Sequence, residues 1–138
     1  MRKSNTTIIA GVGMVAFGKP GASDNYDVMG ESAIREALAD SGLDFTHIKQ
    51  AYAGYVYGDS TCGQKVIYKV GMTGIPVFNV NNNCSTGSSA WFMARQAVES
   101  GLVDCALAVG FEQMQPGALG SVWDCLLYTS PSPRDPHL

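Results

Sequence analysis

The stretch Asn79-Val80-Asn81-Asn82-Asn83-Cys84-Ser85-Thr86-Gly87-Ser88-Ser89-Ala90 carries the strongest chemical signal in the chain. It reads as a strand running into a polar turn, then a cysteine, then a helix that opens with small residues. A cysteine at that point faces the unpaired amide N–H groups of the first helical turn. It also faces the positive end of the helix dipole. Both effects favour thiolate over thiol, and the thiolate is the attacking species in thioester exchange. The same amides are suited to hold an oxyanion during acyl transfer. Cys84 is therefore the candidate nucleophile. On this context alone, a small buried core cysteine accounts for the position equally well, because free cysteines are among the most buried residues.

Other reactive residue types give weaker patterns. Cysteines also stand at positions 62, 105 and 125, with no close Cys-x-x-Cys pair of the kind zinc requires, so no metal site is expected. Cys62 reads as a packed or loop cysteine, and Cys105 sits in an apolar run and reads as core. His47 lies in Asp44-Phe45-Thr46-His47-Ile48 and reads as a surface or loop residue. Gly11-Val12-Gly13-Met14-Val15-Ala16 fits G-x-G-x-x-A, with Glu31 twenty positions beyond Gly11. A dinucleotide site would need a helix to begin at once with its N-terminus on the pyrophosphate. Gly18-Lys19-Pro20-Gly21 interrupts it, so a strand followed by a tight loop is the better account. Tyr52, Tyr55 and Tyr57 read as strand packing.

The elements that must position Cys84 alternate along the chain. Ile8 to Val12 predicts a buried strand. Ser23, Asp24 and Asn25 offer helix caps. Met29, Ala33, Ile34, Ala37 and Leu38 then recur at helical spacing, closed by Gly42. A strand is expected within Ile48–Tyr57, a short helix over Gln64–Val70, and a strand over Ile75–Val80. Ser85–Ser100 reads as a helix that is apolar on most faces, of the kind that is usually buried. Cys105–Val109 reads as a final strand. This order implies a layered α/β domain with a mostly parallel sheet.

Composition narrows the function classes. The chain has 138 residues, 46% apolar and 15% charged, with a formal net charge of −3. That suits one domain with a real core. The nine Lys and Arg residues are scattered, so a phosphate-tracking nucleic-acid surface is not expected. No apolar run is long enough to span a bilayer. The short Ile8–Ala10 stretch is too brief for the apolar part of a secretory leader, and a reducing intracellular compartment is expected.

Asn79–Gly87 resembles the nucleophile segment of thiolases, most closely the branch that includes sterol-carrier-protein-x thiolases. Val12-Gly13-Met14, Gly54–Gln64, Gly71–Pro76, Phe92–Gln96 and Gly110–Met114 resemble the same branch. The resemblance runs from about Ile8 to Asp124 and is most specific over Gly54–Gln64 and Gly71–Gly87. It implies the N-terminal half of a layered thiolase-like fold, with a buried helix after the nucleophile. It implies thiolytic cleavage of a 3-oxoacyl-CoA through an acyl-Cys84 intermediate, with CoA as co-substrate and no tightly bound cofactor. The Cys84 backbone N–H becomes an expected oxyanion donor. The resemblance also implies a homodimeric parent, cytoplasmic if bacterial and peroxisomal if eukaryotic. The family's catalytic histidine, in a Gly-His-Pro loop, and a further acid/base residue have no counterpart here. Negligible turnover by this chain alone is therefore expected. So is poor solubility, because apolar surface would be left uncovered. A related condensing enzyme, and a non-enzymatic α/β nucleotide-binding module, are the competing readings.

Cys125–Asp135 has no periodicity and contains two Ser-Pro steps. It resembles the in-frame translation of a sequencing adapter; a genuine disordered C-terminus is the alternative. The expected division is thus 1–124 as a partial thiolase N-terminal domain and 125–138 as a non-native tail.

Overall fold

The computed structural model describes residues 6–116. The 125–138 tail expected from the sequence lies outside the described residues.

Three strands form one parallel sheet in the order β2-β1-β3, with β1 (Gln50–Gly54) in the centre, β2 (Val77–Val80) on one side and β3 (Ala106–Gly110) on the other. Ala51 pairs with Val77 and Leu107, and Gly54 pairs with Val80 and Gly110. Parallel neighbours need crossover helices: α2 (Cys62–Val70) links β1 to β2 and α3 (Thr86–Glu99) links β2 to β3, while α1 (Tyr26–Ser41) precedes β1. α1 ends at Gly42, whose φ of 68° is the left-handed conformation expected of a glycine cap.

The two faces of the sheet are filled differently. On one side Ile34 of α1 and Val66 and Ile67 of α2 join Phe45, Ile48, Ala51, Ala53, Leu107 and Val109 in an aliphatic core. On the other, α3 lays Ala90, Ala94 and Ala97 against Tyr52, with Val80, Ala106 and Ala108 at the margin. The expected burial of α3 is met on this stripe. Its outward Trp91 and Phe92 remain 47% and 52% exposed among the described residues.

One expected element is corrected. Ile8–Val12 is extended but joins no strand ladder. It lies along α1 rather than against either edge strand, β2 or β3. The Val12 N–H donates to Asp40 Oδ2 and the Met14 N–H to Glu36 Oε2, both at 2.9 Å. A Cβ on Gly13 would come within 2.2 Å of the Ala33 carbonyl, so glycine is what lets the two backbones touch. Ile8, Ile9, Val12 and Met14 stay exposed. The G-x-G-x-x-A stretch therefore serves helix packing. No helix follows it until Tyr26, the start of α1.

Candidate functional site

The C-terminal ends of the strands converge on the start of α3. β2 ends at Val80, and six residues later α3 begins at Thr86. Between them Asn81 to Ser85 make a tight polar turn. The Asn81 side chain accepts the Asn83 N–H at 3.1 Å, the Ser85 N–H donates to the Asn82 carbonyl at 3.1 Å, and the Thr86 N–H donates to the Asn83 carbonyl at 3.1 Å. Asn83 sits at φ 48°, the one positive-φ non-glycine residue among those described. Asparagine tolerates this left-handed conformation better than most residues. The turn places Cys84 directly ahead of Ser85, the residue that caps α3.

Cys84 is exposed, in contrast to Cys62, which is 3% exposed. Its Sγ lies 3.9 Å from Asn83 Oδ1. It is neither within a strand nor sealed in the core, so the sulfur is open to a reagent at the head of a 14-residue helix. Along α3 runs an open trough of about 720 Å3 lined by Gly87, Ser88, Ser89, Trp91, Phe92 and Met93; Cys84 is not part of its lining.

Gly54 lets the end of β1 come this close, and Gly110 adds ordinary van der Waals contact. A Cβ on Gly54 would lie 2.8 Å from Thr86 Cγ2 and 2.9 Å from the Thr86 carbonyl, and one on Gly110 would lie 3.6 Å from Gly87 Cα. The chain beyond β3 then ties the neighbouring loops together. The Phe111 N–H donates to the Gly54 carbonyl at 3.1 Å. The Phe111 ring stacks on Tyr26 and Tyr55, with centroids 5.4 and 5.2 Å apart. The Glu112 carboxylate accepts the Val56 and Tyr57 N–H groups at 2.9 and 3.0 Å. Gln113 Oε1 accepts the Tyr26 N–H at 3.1 Å, supplying the cap that Asn25 does not. Gly110–Met114, the least specific of the matched stretches, is thus the brace behind the site.

The other reactive residues stand apart from it. Cys62 is buried at the start of α2, bonded with the Tyr26 hydroxyl, and that bond together with burial pushes the tyrosine up to about 12. Cys105 packs against the aliphatic core, and burial raises its thiol above the ordinary value. His47 lies exposed on a single 3₁₀ turn (Phe45–His47), with Nδ1 3.1 Å from the Asp44 carbonyl. Tyr52 stacks on Phe78 at 5.1 Å, the packing role expected of it. Among the described residues no group of His, Cys, Asp and Glu is arranged to hold a metal ion. The sequence reading missed Thr86, Gly54 and Glu112. Their places inside the matched stretches were the available signal.

The site is thus a cysteine at a helix start, met by the carboxyl ends of a parallel α/β sheet, the edge at which open α/β sheets bind their ligands. The chain belongs to the thiolase family: the family described as thiolase, N-terminal domain, matches residues 7–119. It is 51% identical over 132 residues to sterol carrier protein 2 of Gallus gallus, covering 94% of this chain and 23% of that protein. It is 37% identical over 114 residues to the benzoylsuccinyl-CoA thiolase subunit BbsB of Thauera aromatica, covering 81% of this chain and 29% of that one. The chain therefore spans less than a third of the length of either relative. Among solved structures, the 3-oxoacyl-[acyl-carrier-protein] synthase III of Aquifex aeolicus superposes with a TM-score of 0.61 at 20% identity, over 69% of this chain and 32% of that one. That likeness shows the fold.

Proposed function

We propose that this chain carries the nucleophile of a thiolase that cleaves 3-oxoacyl-CoA. The observation that carries the reading is the exposed Cys84 at the start of α3, where the strand ends converge. The Cys84 thiolate attacks the keto carbon, C3. The C2–C3 bond breaks, and C2 leaves as the enolate of acetyl-CoA, or of propanoyl-CoA from a 2-methyl substrate, and takes a proton. The acyl group remains on Sγ as a thioester. A second CoA thiol, losing its proton to a base, attacks that thioester and restores the thiolate. The Cys84 N–H at the helix start is suited to hold the oxyanion.

The similarity to sterol carrier protein 2 supports lipid acyl-CoA esters as substrates of the parent, and CoA is its co-substrate. A homodimer in the bacterial cytoplasm or the peroxisome is consistent with that branch. The acid and base that move the protons are not among the described residues. His47, the single histidine there, is exposed on a 3₁₀ turn. Each such group contributes on the order of 10²–10⁴-fold.

The test exposes the 138-residue chain to a haloacetyl-CoA, in which a cysteine thiolate displaces halide and forms a stable thioether. The adducts are then mapped by peptide mass spectrometry. Cys84 should carry nearly all the label, free CoA should compete, and Cys84→Ser should abolish it. Labelling that is uniform over the accessible thiols and indifferent to CoA would overturn the assignment. In a parallel thiolysis assay the chain alone should show no turnover above background. Turnover would show that the proton-moving groups lie within it.

A further inference from the structure

Resting on the reading of Cys84 as nucleophile, we infer that Thr86 is the residue that positions it. Thr86 is 5% exposed, one of two buried polar side chains among the described residues. Its hydroxyl is used in both directions. Oγ1 accepts the Asn82 N–H at 2.8 Å and donates to the Asn83 carbonyl at 2.5 Å. The two residues it grips are those immediately before Cys84, and one of them is Asn83, held at φ 48°. A left-handed non-glycine residue persists where its surroundings fix it, and the Thr86 hydroxyl supplies that constraint from the first residue of α3.

The methyl group has a separate task. It occupies the space beside Gly54 where a Cβ would lie 2.8 Å away, so β1's end seats Thr86 and Thr86 in turn seats the turn. The neighbouring Ser85 hydroxyl does less. It is exposed and donates only to the Asn82 carbonyl, at 2.8 Å. Threonine is thus the residue type that serves this position: the hydroxyl orders Asn82 and Asn83, and the methyl fills the glycine notch. The consequence for function is that Cys84 holds its place at the helix start by way of Thr86, with no contact between Thr86 and substrate.

The three described cysteines make the test self-contained. The full chain and its variants are alkylated with iodoacetamide, and the rate at each cysteine is read by mass spectrometry. Protection of buried Cys62 reports the fold. Exposed Cys84 reports the turn. Thr86→Val keeps the shape and removes the hydroxyl. It should slow Cys84 by about tenfold, as loss of a buried hydrogen bond implies, while Cys62 stays protected. Thr86→Ser should restore most of the Cys84 rate. A wild-type Cys84 rate in T86V with Cys62 protected overturns the inference, and so does a Thr86→Ser variant as slow as T86V. Should T86V expose Cys62, hydrogen exchange in the unaltered chain decides. The Asn82 amide is in an exposed residue yet bonded to a buried hydroxyl, so it should exchange slowly. Fast exchange there refutes the role. The reagent carries no CoA, so these outcomes are independent of whether Cys84 prefers a CoA ester.

Discussion

The sheet has one face built from large aliphatic side chains and one built from alanines. Under α1 and α2 the fully buried side chains are Ile34, Val66 and Ile67. Under α3 Ala90 is fully buried and Ala94 and Ala97 nearly so. Small residues let a helix axis approach a sheet closely, and this approach sets the start of α3 against Gly54 and Gly110 at the strand ends. The first face supplies stability through area buried. The second supplies less area and more precise placement. The outer surfaces differ in the same sense. α1 turns Glu31, Arg35 and Glu36 outward, with Arg35 and Glu31 paired at 2.9 Å. α3 turns Trp91 and Phe92 outward beside the trough. α3 shows the apolar side of a helix suited to a further layer, and on the α1–α2 side the exposed apolar side chains are Val28, Tyr68 and those of the segment along α1, Ile8, Ile9, Val12 and Met14.

The sharpest way to break this contrast is to cut into the aliphatic face. Ile67→Ala should cost about 2–5 kcal/mol in urea unfolding, the range for a deleted core isoleucine. Just short of the unfolding transition, Cys84 alkylation should keep its wild-type rate. A smaller effect follows on the alanine face. Ala90→Leu overfills a fully buried site under α3 and should cost about 1–3 kcal/mol. It should also change the Cys84 rate under native conditions, because α3 must shift. Equal behaviour of Cys84 in the two variants would erase the distinction.

Acid should weaken the first face selectively. Asp27 on α1 is bonded to Lys69 of α2 at 2.8 Å, with Lys65 at 3.8 Å. The Lys69 bond, helped by Lys65 and opposed by burial, holds its carboxyl below the usual range. A carboxyl depressed in the folded state stabilises the fold above its unfolded value, about 3.9. That contribution is lost as pH falls through the lower folded value. Thermal melts should therefore fall more steeply with acid in the wild type than in Asp27→Asn. The smallest thermodynamic effect is expected at the outer face of α3. Trp91→Gln should change stability within about 0.5 kcal/mol. Sedimentation should meanwhile show less self-association, because an exposed apolar patch has been broken.

Much of the fold was legible because it is written in local patterns. The periodicity of α1, its stop at Gly42, and the strand–turn–helix around Cys84 all depend on neighbours a few residues apart. What went unread depends on distant partners. α2 starts at Cys62, two residues before the pattern suggests. There the Gly63 N–H is taken by Asn79 Oδ1 of β2, 2.9 Å away and sixteen residues on. The β-like run Ile8–Val12 has the right side chains for a strand, but the carboxylates of Asp40 and Glu36 on α1 take the Val12 and Met14 amides at its end. Glu112 and Gln113 gained their roles by reaching loops 55 and 87 residues earlier.

Most element types, and Cys84 as the candidate nucleophile, could be read from residue type, spacing and the turn chemistry of Asn81–Ser85. The thiolase character came from the resemblance of whole stretches. Which thiol is open and which is sealed, and which glycines mark a backbone contact, became visible in the folded chain. It alone showed that a buried threonine hydroxyl closes the turn before Cys84. Exposure and hydrogen-bond partners are properties of groups that meet across the fold, and no local pattern encodes them.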